Sequence, residues 1–147
     1  MAYENPVQGN IRQYGFLPYA GAPGAGTDEV QTITFGGTPT GGTFRLRFKS
    51  AITDAITWTA TDATLVTRID TALGALTTIG SASNVTTADS TITSGIGDIT
   101  VTFVAALAKK AVPLISVYSN SLTGTSPTIE VVETTPGVNA AWRGCAK

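Results

Sequence analysis

The alternation of apolar and polar positions predicts a domain built mostly of β-strands that begins near residue 30. Two runs, 30–35 and 43–50, alternate with a period of two, and the string "GGTPTGG" separates them. Such a pair of runs, joined by glycine and proline, is typical of a β-hairpin. Three apolar side chains of the second run share one face, which we expect to be buried: Phe44, Leu46 and Phe48.

One helical pattern follows in "TDATLVTRIDTALGAL". Its apolar residues recur at spacings of four, four and three: Leu65, Ile69, Leu73 and Leu76. This spacing forms one stripe along a helix. Thr61 or Asp62 is suited to begin the helix, because their side chains can cap its first turn. Gly80 is suited to end it.

Strand-like runs fill the remainder of the chain. In "AITDAITWTA", we expect Ile52, Ile56 and Trp58 to point inward, and the Trp58 N–H to find a partner. A short strand is expected near Val85. Alternation predicts three further inward side chains: Ile99, Val101 and Phe103. The strings "AVPLISVYS" and "SPTIEVVETT" predict two more strands, with a proline placed where an edge or a strand beginning tolerates it.

These elements predict an α+β fold dominated by β-structure. We expect an antiparallel sheet or sandwich of about five to seven strands, one amphipathic helix and an extended N-terminal arm. A pure sandwich, in which the helical pattern is a loop, is the alternative. The predicted boundaries are 1–28 for the arm, 29–137 for the globular domain and 138–147 for a C-terminal tail.

The predicted arm contains large apolar side chains although it follows neither period. They are Tyr3, Ile11, Tyr14, Phe16, Leu17 and Tyr19. A flexible spacer would consist of glycine and serine, so we interpret the arm as a segment that lies on a partner's surface. The alternative is an arm that wraps its own domain. Trp142 and Arg143 of the tail are residue types enriched at binding hot spots, although Trp142 could instead close the core.

Positive charge is concentrated in one predicted strand, although the chain as a whole is weakly charged. Charged residues make up 13% of the chain, against about 25% in typical soluble domains. Three of the nine cations, Arg45, Arg47 and Lys49, nevertheless alternate with the apolar residues of one strand. Like charges on one strand face repel each other. Either the row is solvated or guards an exposed sheet edge, or it contacts an acidic partner.

The residue inventory gives little support to catalysis. The chain has no histidine, which removes the commonest general base and metal ligand. Cys145 is the single cysteine, so neither an internal disulfide nor a cysteine-based zinc site is expected. The acidic residues are scattered, and no glycine run has the phosphate-loop pattern. We therefore expect no enzyme activity, no catalytic residues, no metal and no cofactor.

The sequence also argues against nucleic acid and membranes as partners, and against secretion. The net charge of −1 gives no reason to expect nucleic-acid binding. No apolar stretch approaches the roughly 20 residues that span a bilayer, so no membrane partner is expected. The first residues lack the pattern of a secretory signal. A lone cysteine fits synthesis in a reducing host cytoplasm.

The order of three motifs resembles a unit found in tailed-bacteriophage structural proteins. They are "GGTPTGGTF", "DATLVTRIDTAL" and "SLTGTSP", and the resemblance covers about residues 30–137. With one copy of the unit and an N-terminal arm, the chain looks most like a capsid decoration, or cement, protein. The resemblance implies a location on the capsid surface of the virion, and a homo-oligomer that is a trimer. It also implies that the arm lies on the major capsid protein.

Two other functions remain open at this stage. One is a carbohydrate- or host-surface-binding module of a head or tail fibre, which would need exposed aromatic residues in a groove of the globular domain. The other is a tail-tube or connector subunit, which would assemble into rings. The partner-binding residues proposed from sequence are those of the arm, the basic row and the tail.

Overall fold

The computed structural model describes residues 25–140, which form one six-stranded antiparallel sheet and one α-helix. The β-dominated α+β fold class is therefore confirmed. The elements in chain order are β1 (Val30–Phe48), β2 (Ala51–Ile52), β3 (Ile56–Thr57), α1 (Asp62–Gly74), β4 (Val85–Asp89), β5 (Gly97–Phe103) and β6 (Ser116–Thr135). Short 3₁₀ turns occupy Ala82–Asn84 and Ala105–Leu107.

The long strand β1 is the centre of the sheet. One of its edges pairs with β6 over nearly its whole length, and the other pairs with β5, β3 and β2 in turn. The predicted hairpin between 30–35 and 43–50 is therefore wrong. The "GGTPTGG" string continues the strand, and its partners on β6 lie 80 or more residues away in sequence.

Glycine permits this continuation because β1 and β6 approach closely at β-bulges. Gly37 and Gly42 have φ of 76° and 95°, and the register shifts between Gly36 and Thr38 and again between Pro39 and Gly41. A Cβ at Gly37 would lie 2.1 Å from the carbonyl oxygen of Ser126. Glycine inside a strand often marks such a bulge.

The strand β6 also differs from the sequence prediction. The two strands expected in "AVPLISVYS" and "SPTIEVVETT" are one strand of 20 residues. It begins three residues after Pro113, and Pro127 lies within it. A proline is tolerated there because β6 is an edge strand, where a missing N–H on the free side breaks no ladder bond.

The β1–β6 ladder bends so that its two halves face each other across the core. Phe35 and Phe44 are nine residues apart, which would be about 30 Å along a straight strand. Their ring centroids are 5.2 Å apart, in an edge-to-face arrangement. Phe48 likewise stacks on Phe103 of β5, at 5.4 Å. The bulges therefore turn a single sheet into an enclosed apolar core.

The helix closes the open side of this core between β3 and β4. Leu65, Ile69 and Leu73 are fully buried, as their spacing predicts. The helix ends at Gly74, six residues before the predicted stop. A Cβ at Gly74 would lie 2.8 Å from the Cα of Ala82, so this glycine permits close packing on the following turn.

Further sequence predictions can be compared with the burial of individual side chains. Seven of the residues expected to point inward are buried: Phe44, Leu46, Phe48, Ile56, Ile99, Val101 and Phe103. Trp58 is also buried, and its Nε1 donates a hydrogen bond to the carbonyl of Gly95 at 3.1 Å. Ile52 is the exception, because it is 38% exposed at the short β2 edge.

Candidate functional site

The structure brings the three cations of the basic row together at one end of β1. Arg45 and Arg47 project from the face of β1 opposite the core, and both are exposed. Lys49 follows in the turn after the strand, with φ of 59°, and its Nζ lies 5.4 Å from the centroid of the Phe48 ring. We call Arg45, Arg47 and Lys49 the cationic patch.

Backbone carbonyl groups orient the two arginines. Nη1 of Arg45 donates to the Thr53 carbonyl at 3.2 Å, and Nε of Arg47 donates to the Lys49 carbonyl at 3.3 Å. In the described part of the chain, the one ion pair is Lys109 with Asp28. The cationic patch therefore has no carboxylate partner within residues 25–140, and its charge is available to an external anion.

One sequence interpretation of the basic row does not fit this geometry. Cations that guard a sheet edge must lie on an edge strand. At Arg45 and Arg47, β1 is flanked by β6 on one side and by the segment containing β2 and β3 on the other. A solvated face or an acidic partner remain the two interpretations of the patch.

A groove that no local sequence pattern indicated adjoins the cationic patch. It lies between α1 and the β2–β3 segment and has a volume of about 540 Å³. Ile52, Ile56 and Leu76 contribute apolar surface, whereas Asp54 and Arg68 are its charged side chains. Thr53 lines the groove and its carbonyl also binds Arg45, so groove and patch are continuous. The exposure of Ile52 is explained by this position.

The described chain begins and ends at one place on the domain. Thr27 and Val138, which the sequence assigned to the arm and the tail, form an isolated bridge with N–H···O distances of 2.9 Å in both directions. A Cβ at Gly26 would lie 2.9 Å from the backbone nitrogen of Ala140. Residues 1–24 and 141–147 therefore continue from neighbouring points.

Most of the residues proposed from sequence as partner contacts lie outside the described part of the chain. These are Tyr3, Ile11, Tyr14, Phe16, Leu17, Tyr19, Trp142 and Arg143. Only the cationic patch can be located: Arg45 and Arg47 lie on one face of β1 as the alternation predicts, whereas Lys49 lies in the turn after the strand.

Several acidic side chains have structural contacts. Asp62 accepts from the backbone N–H groups of Ser94 and Gly95, and Asp70 accepts from the N–H of Thr87 at 2.8 Å. Within residues 25–140, no three Cys, Asp or Glu side chains come together as a metal site would require. No helix of that range is long and apolar enough to cross a membrane.

Comparison with known proteins gives no relative from which a function could be transferred. No protein-family model matches the chain, and no curated protein matches it. The functional argument therefore depends on the residues and on their geometry.

Proposed function

We propose that this protein is a virion structural protein that decorates the outer surface of a bacteriophage head and stabilises it. The observation that carries the proposal is the pairing of Thr27 with Val138, which brings the two ends of the described range 25–140 together. The two segments with unusual apolar and aromatic content, 1–24 and 141–147, are joined covalently to the described domain close to that place. Two adhesive segments that start together can bind one underlying surface at the same time, which multiplies their affinities.

In this proposal the folded domain has a structural role and carries no reaction. Its acidic side chains at Asp62 and Asp70 bind backbone groups of the fold, and the cationic patch has no ion-pair partner among the described residues. Such a patch supports a contact with an acidic area of the major capsid protein or of a sister subunit. The proposal makes no use of catalysis or of a cofactor.

The location and oligomeric state belong to the same proposal. The protein is made in the host cytoplasm and becomes part of the virion at the capsid surface. Residues 1–24 lie along the major capsid protein, and the domains associate as trimers. Because a head presents the same contact many times, modest affinity at each site is sufficient for stable decoration.

The test is binding of the full-length chain to bacteriophage heads that lack it, measured by co-sedimentation. Deletion of residues 1–24 should abolish retention on the heads while the domain stays folded by circular dichroism. The double variant Arg45→Glu and Arg47→Glu should weaken binding, with loss of its dependence on salt concentration. The control is the double variant Thr86→Glu and Ala88→Glu, which adds two negative charges at exposed alternate positions of β4, at the opposite end of the β2–β1–β5–β4 order from β2.

Two outcomes would contradict the proposal. Undiminished retention of the truncated chain would show that residues 1–24 do not bind the head. Failure of the full-length chain to bind any head under low-salt conditions would remove the capsid as partner. Equal weakening by the patch variant and by the β4 control would contradict the specific role of the patch, because the loss would then follow from net charge alone.

The burial of the aromatic residues weighs against a carbohydrate-binding module. Five of the six aromatic side chains in residues 25–140 are buried: Phe35, Phe44, Phe48, Trp58 and Phe103. Tyr118 is the exposed one, at 52%. Sugar rings usually need an exposed aromatic surface to stack on, and one tyrosine in this part of the chain provides little of it.

A further inference from the structure

Two guanidinium groups border the groove between α1 and the β2–β3 segment. Nη1 of Arg45 donates to the Thr53 carbonyl at 3.2 Å, and Nη1 of Arg68 donates to the Thr57 carbonyl at 2.9 Å. Thr53 and Thr57 line one wall of the groove, four residues apart on a segment that runs along β1, so the two carbonyls are about 10–13 Å apart. A guanidinium has five N–H donors, so each arginine keeps donors for a carboxylate.

Positive charge is concentrated around this groove. Residues 25–140 contain six cations, and four of them belong to the groove or to the adjoining patch: Arg45, Arg47, Lys49 and Arg68. Of the nine carboxylates in the same range, only Asp54 lines the groove. None of the four cations forms an ion pair within the described residues. This surface therefore complements an anionic partner.

Apolar and small side chains line the space between the two arginines. Ala55 and Ile56 lie between the two bonded carbonyls in sequence, and Ile52, which is 38% exposed, lies before them. The opposite wall includes Ala72 and Ala75, whose small side chains leave room. The volume of about 540 Å³ lies within the range of about 300–1,000 Å³ that ligand pockets have. One large apolar side chain can therefore enter between two sites for carboxylates.

We propose that this groove binds an extended acidic segment of another protein, in which a carboxylate lies two positions before and two positions after one large apolar residue. In an extended chain these three side chains share one face, and the outer two are about 13 Å apart, close to the separation of the two bonded carbonyls. The apolar side chain enters the groove, and the carboxylates bind Arg45 and Arg68. The inference rests on the proposed function only for the place of the partner, which is then a protein of the virion.

The charges of this chain favour a different protein as the occupant. Segment 1–24 has one carboxylate and one cation, and segment 141–147 has two cations and no carboxylate. A second copy offers no free acidic segment within residues 25–140, because its carboxylates outside the groove either accept hydrogen bonds in their own domain or belong to the paired strand β6. The first group is Asp28, Glu29, Asp62, Asp70, Asp89 and Asp98, and the second is Glu130 and Glu133.

The lining of the groove also favours a peptide over a nucleic acid. A single strand of nucleic acid would satisfy the cations, but its bases need aromatic side chains on which to stack. None of the described residues that line the groove is aromatic. Aliphatic surface between two cations fits an apolar side chain flanked by carboxylates.

The test titrates the full-length protein at low salt with the peptide Gly-Glu-Ser-Leu-Ser-Glu-Gly, blocked at both ends, and records amide NMR spectra. We expect shifts at residues 52–57 and 67–76, with an affinity that falls as the salt concentration rises. Two matched peptides separate the charges from the apolar anchor. Glutamine in place of both glutamates, or glycine in place of leucine, should each weaken binding about tenfold or more.

Three variants test the charged side chains of the groove. Arg45→Gln and Arg68→Gln should each weaken binding of the glutamate peptide about fivefold and leave the glutamine peptide unaffected. Asp54→Asn should strengthen binding of the glutamate peptide about threefold, because it removes a like charge, and a misfolded variant could not produce this gain. The control is Thr86→Glu, which changes the net charge by the same one unit as each arginine variant at an exposed position of β4, and should leave the affinity unchanged.

Four outcomes would overturn the inference. They are no binding of the glutamate peptide at millimolar concentration, equal binding of the glutamate and glutamine peptides, tighter binding of an oligothymidylate than of the peptide, and shifts of the same groove amides on deletion of residues 1–24. The last would show that this chain covers its own groove. Because phage heads are absent from the titration, its failure leaves the co-sedimentation result standing, and failure to bind heads leaves peptide binding standing.

Discussion

At the scale of single residues, Gln31 shows how a buried polar side chain fixes a connection. Its Oε1 accepts from the N–H of Ile115 at 2.8 Å, and its Nε2 donates to the Pro113 carbonyl at 3.1 Å and to the Glu29 carboxylate. Glu29 in turn accepts from the N–H of Val112 at 2.8 Å. Both side chains are almost fully buried. They hold the segment before β6 against the first residues of β1.

Gln31→Leu should therefore destabilise the domain although it adds an apolar group to the core. The Ile115 N–H and one Glu29 oxygen would be left buried without a partner, which costs about 2–4 kcal/mol in total. Urea unfolding followed by tryptophan fluorescence measures this loss. Thr100→Val is the control, since the Thr100 hydroxyl makes an exposed bond of 3.3 Å, and it should change the free energy of unfolding by less than about 0.5 kcal/mol. Equal effects of both variants would refute the role of Gln31.

At the scale of elements, local patterns predicted burial well and strand partners poorly. The helix stripe of Leu65, Ile69 and Leu73 is buried because its spacing depends only on helix geometry. The alternation predicted the burial of Phe44, Leu46 and Phe48 because successive side chains of a strand point to opposite faces, which is also a local property. The pairing of β1 with β6 joins Thr32 to Val132, and no local signal reports a partner 100 residues away. The glycines of "GGTPTGG" fit a turn or a bulge equally well.

Alanine substitutions at Gly37 and Gly41 can distinguish a bulge within β1 from a flexible turn in the "GGTPTGG" string. Gly37→Ala should destabilise the domain by about 3 kcal/mol or more, because φ of 76° is unfavourable for alanine and the new Cβ would clash with the Ser126 carbonyl. Gly41→Ala, whose Cβ would meet only the Thr123 hydroxyl at 3.4 Å, should be nearly neutral. Thermal unfolding of both variants tests the bulge. If both were neutral, 36–42 would be a flexible loop rather than part of β1.

At the scale of the whole molecule, some features of the candidate site could be predicted from local sequence patterns and others could not. Alternation was sufficient to place Arg45 and Arg47 on one face. The groove beside them requires α1 to lie against the β2–β3 segment, which depends on how the sheet bends. The meeting of the chain ends depends on the same bend and on the pairing of β1 with β6. Both features follow from long-range packing, so neither was accessible to local patterns.

The meeting of the ends can be tested by a covalent link between them. Thr27 and Val138 exchange two backbone hydrogen bonds, a geometry with Cα atoms about 5.5 Å apart, within the range a disulfide spans. In a Cys145→Ser background, the pair Thr27→Cys and Val138→Cys should oxidise readily, while either single variant forms no internal bond. Closing so long a loop should raise the free energy of unfolding by up to about 4 kcal/mol.

The linked protein also separates the fold from the proposed function. If residues 1–24 and 141–147 bind the capsid from outside the domain, joining their starting points should leave co-sedimentation with heads unchanged. Loss of binding in the oxidised form, recovered on reduction, would mean that the ends must separate when the protein attaches. Failure of the two cysteines to oxidise would show that the ends do not meet, and the proposal would lose the observation on which it depends.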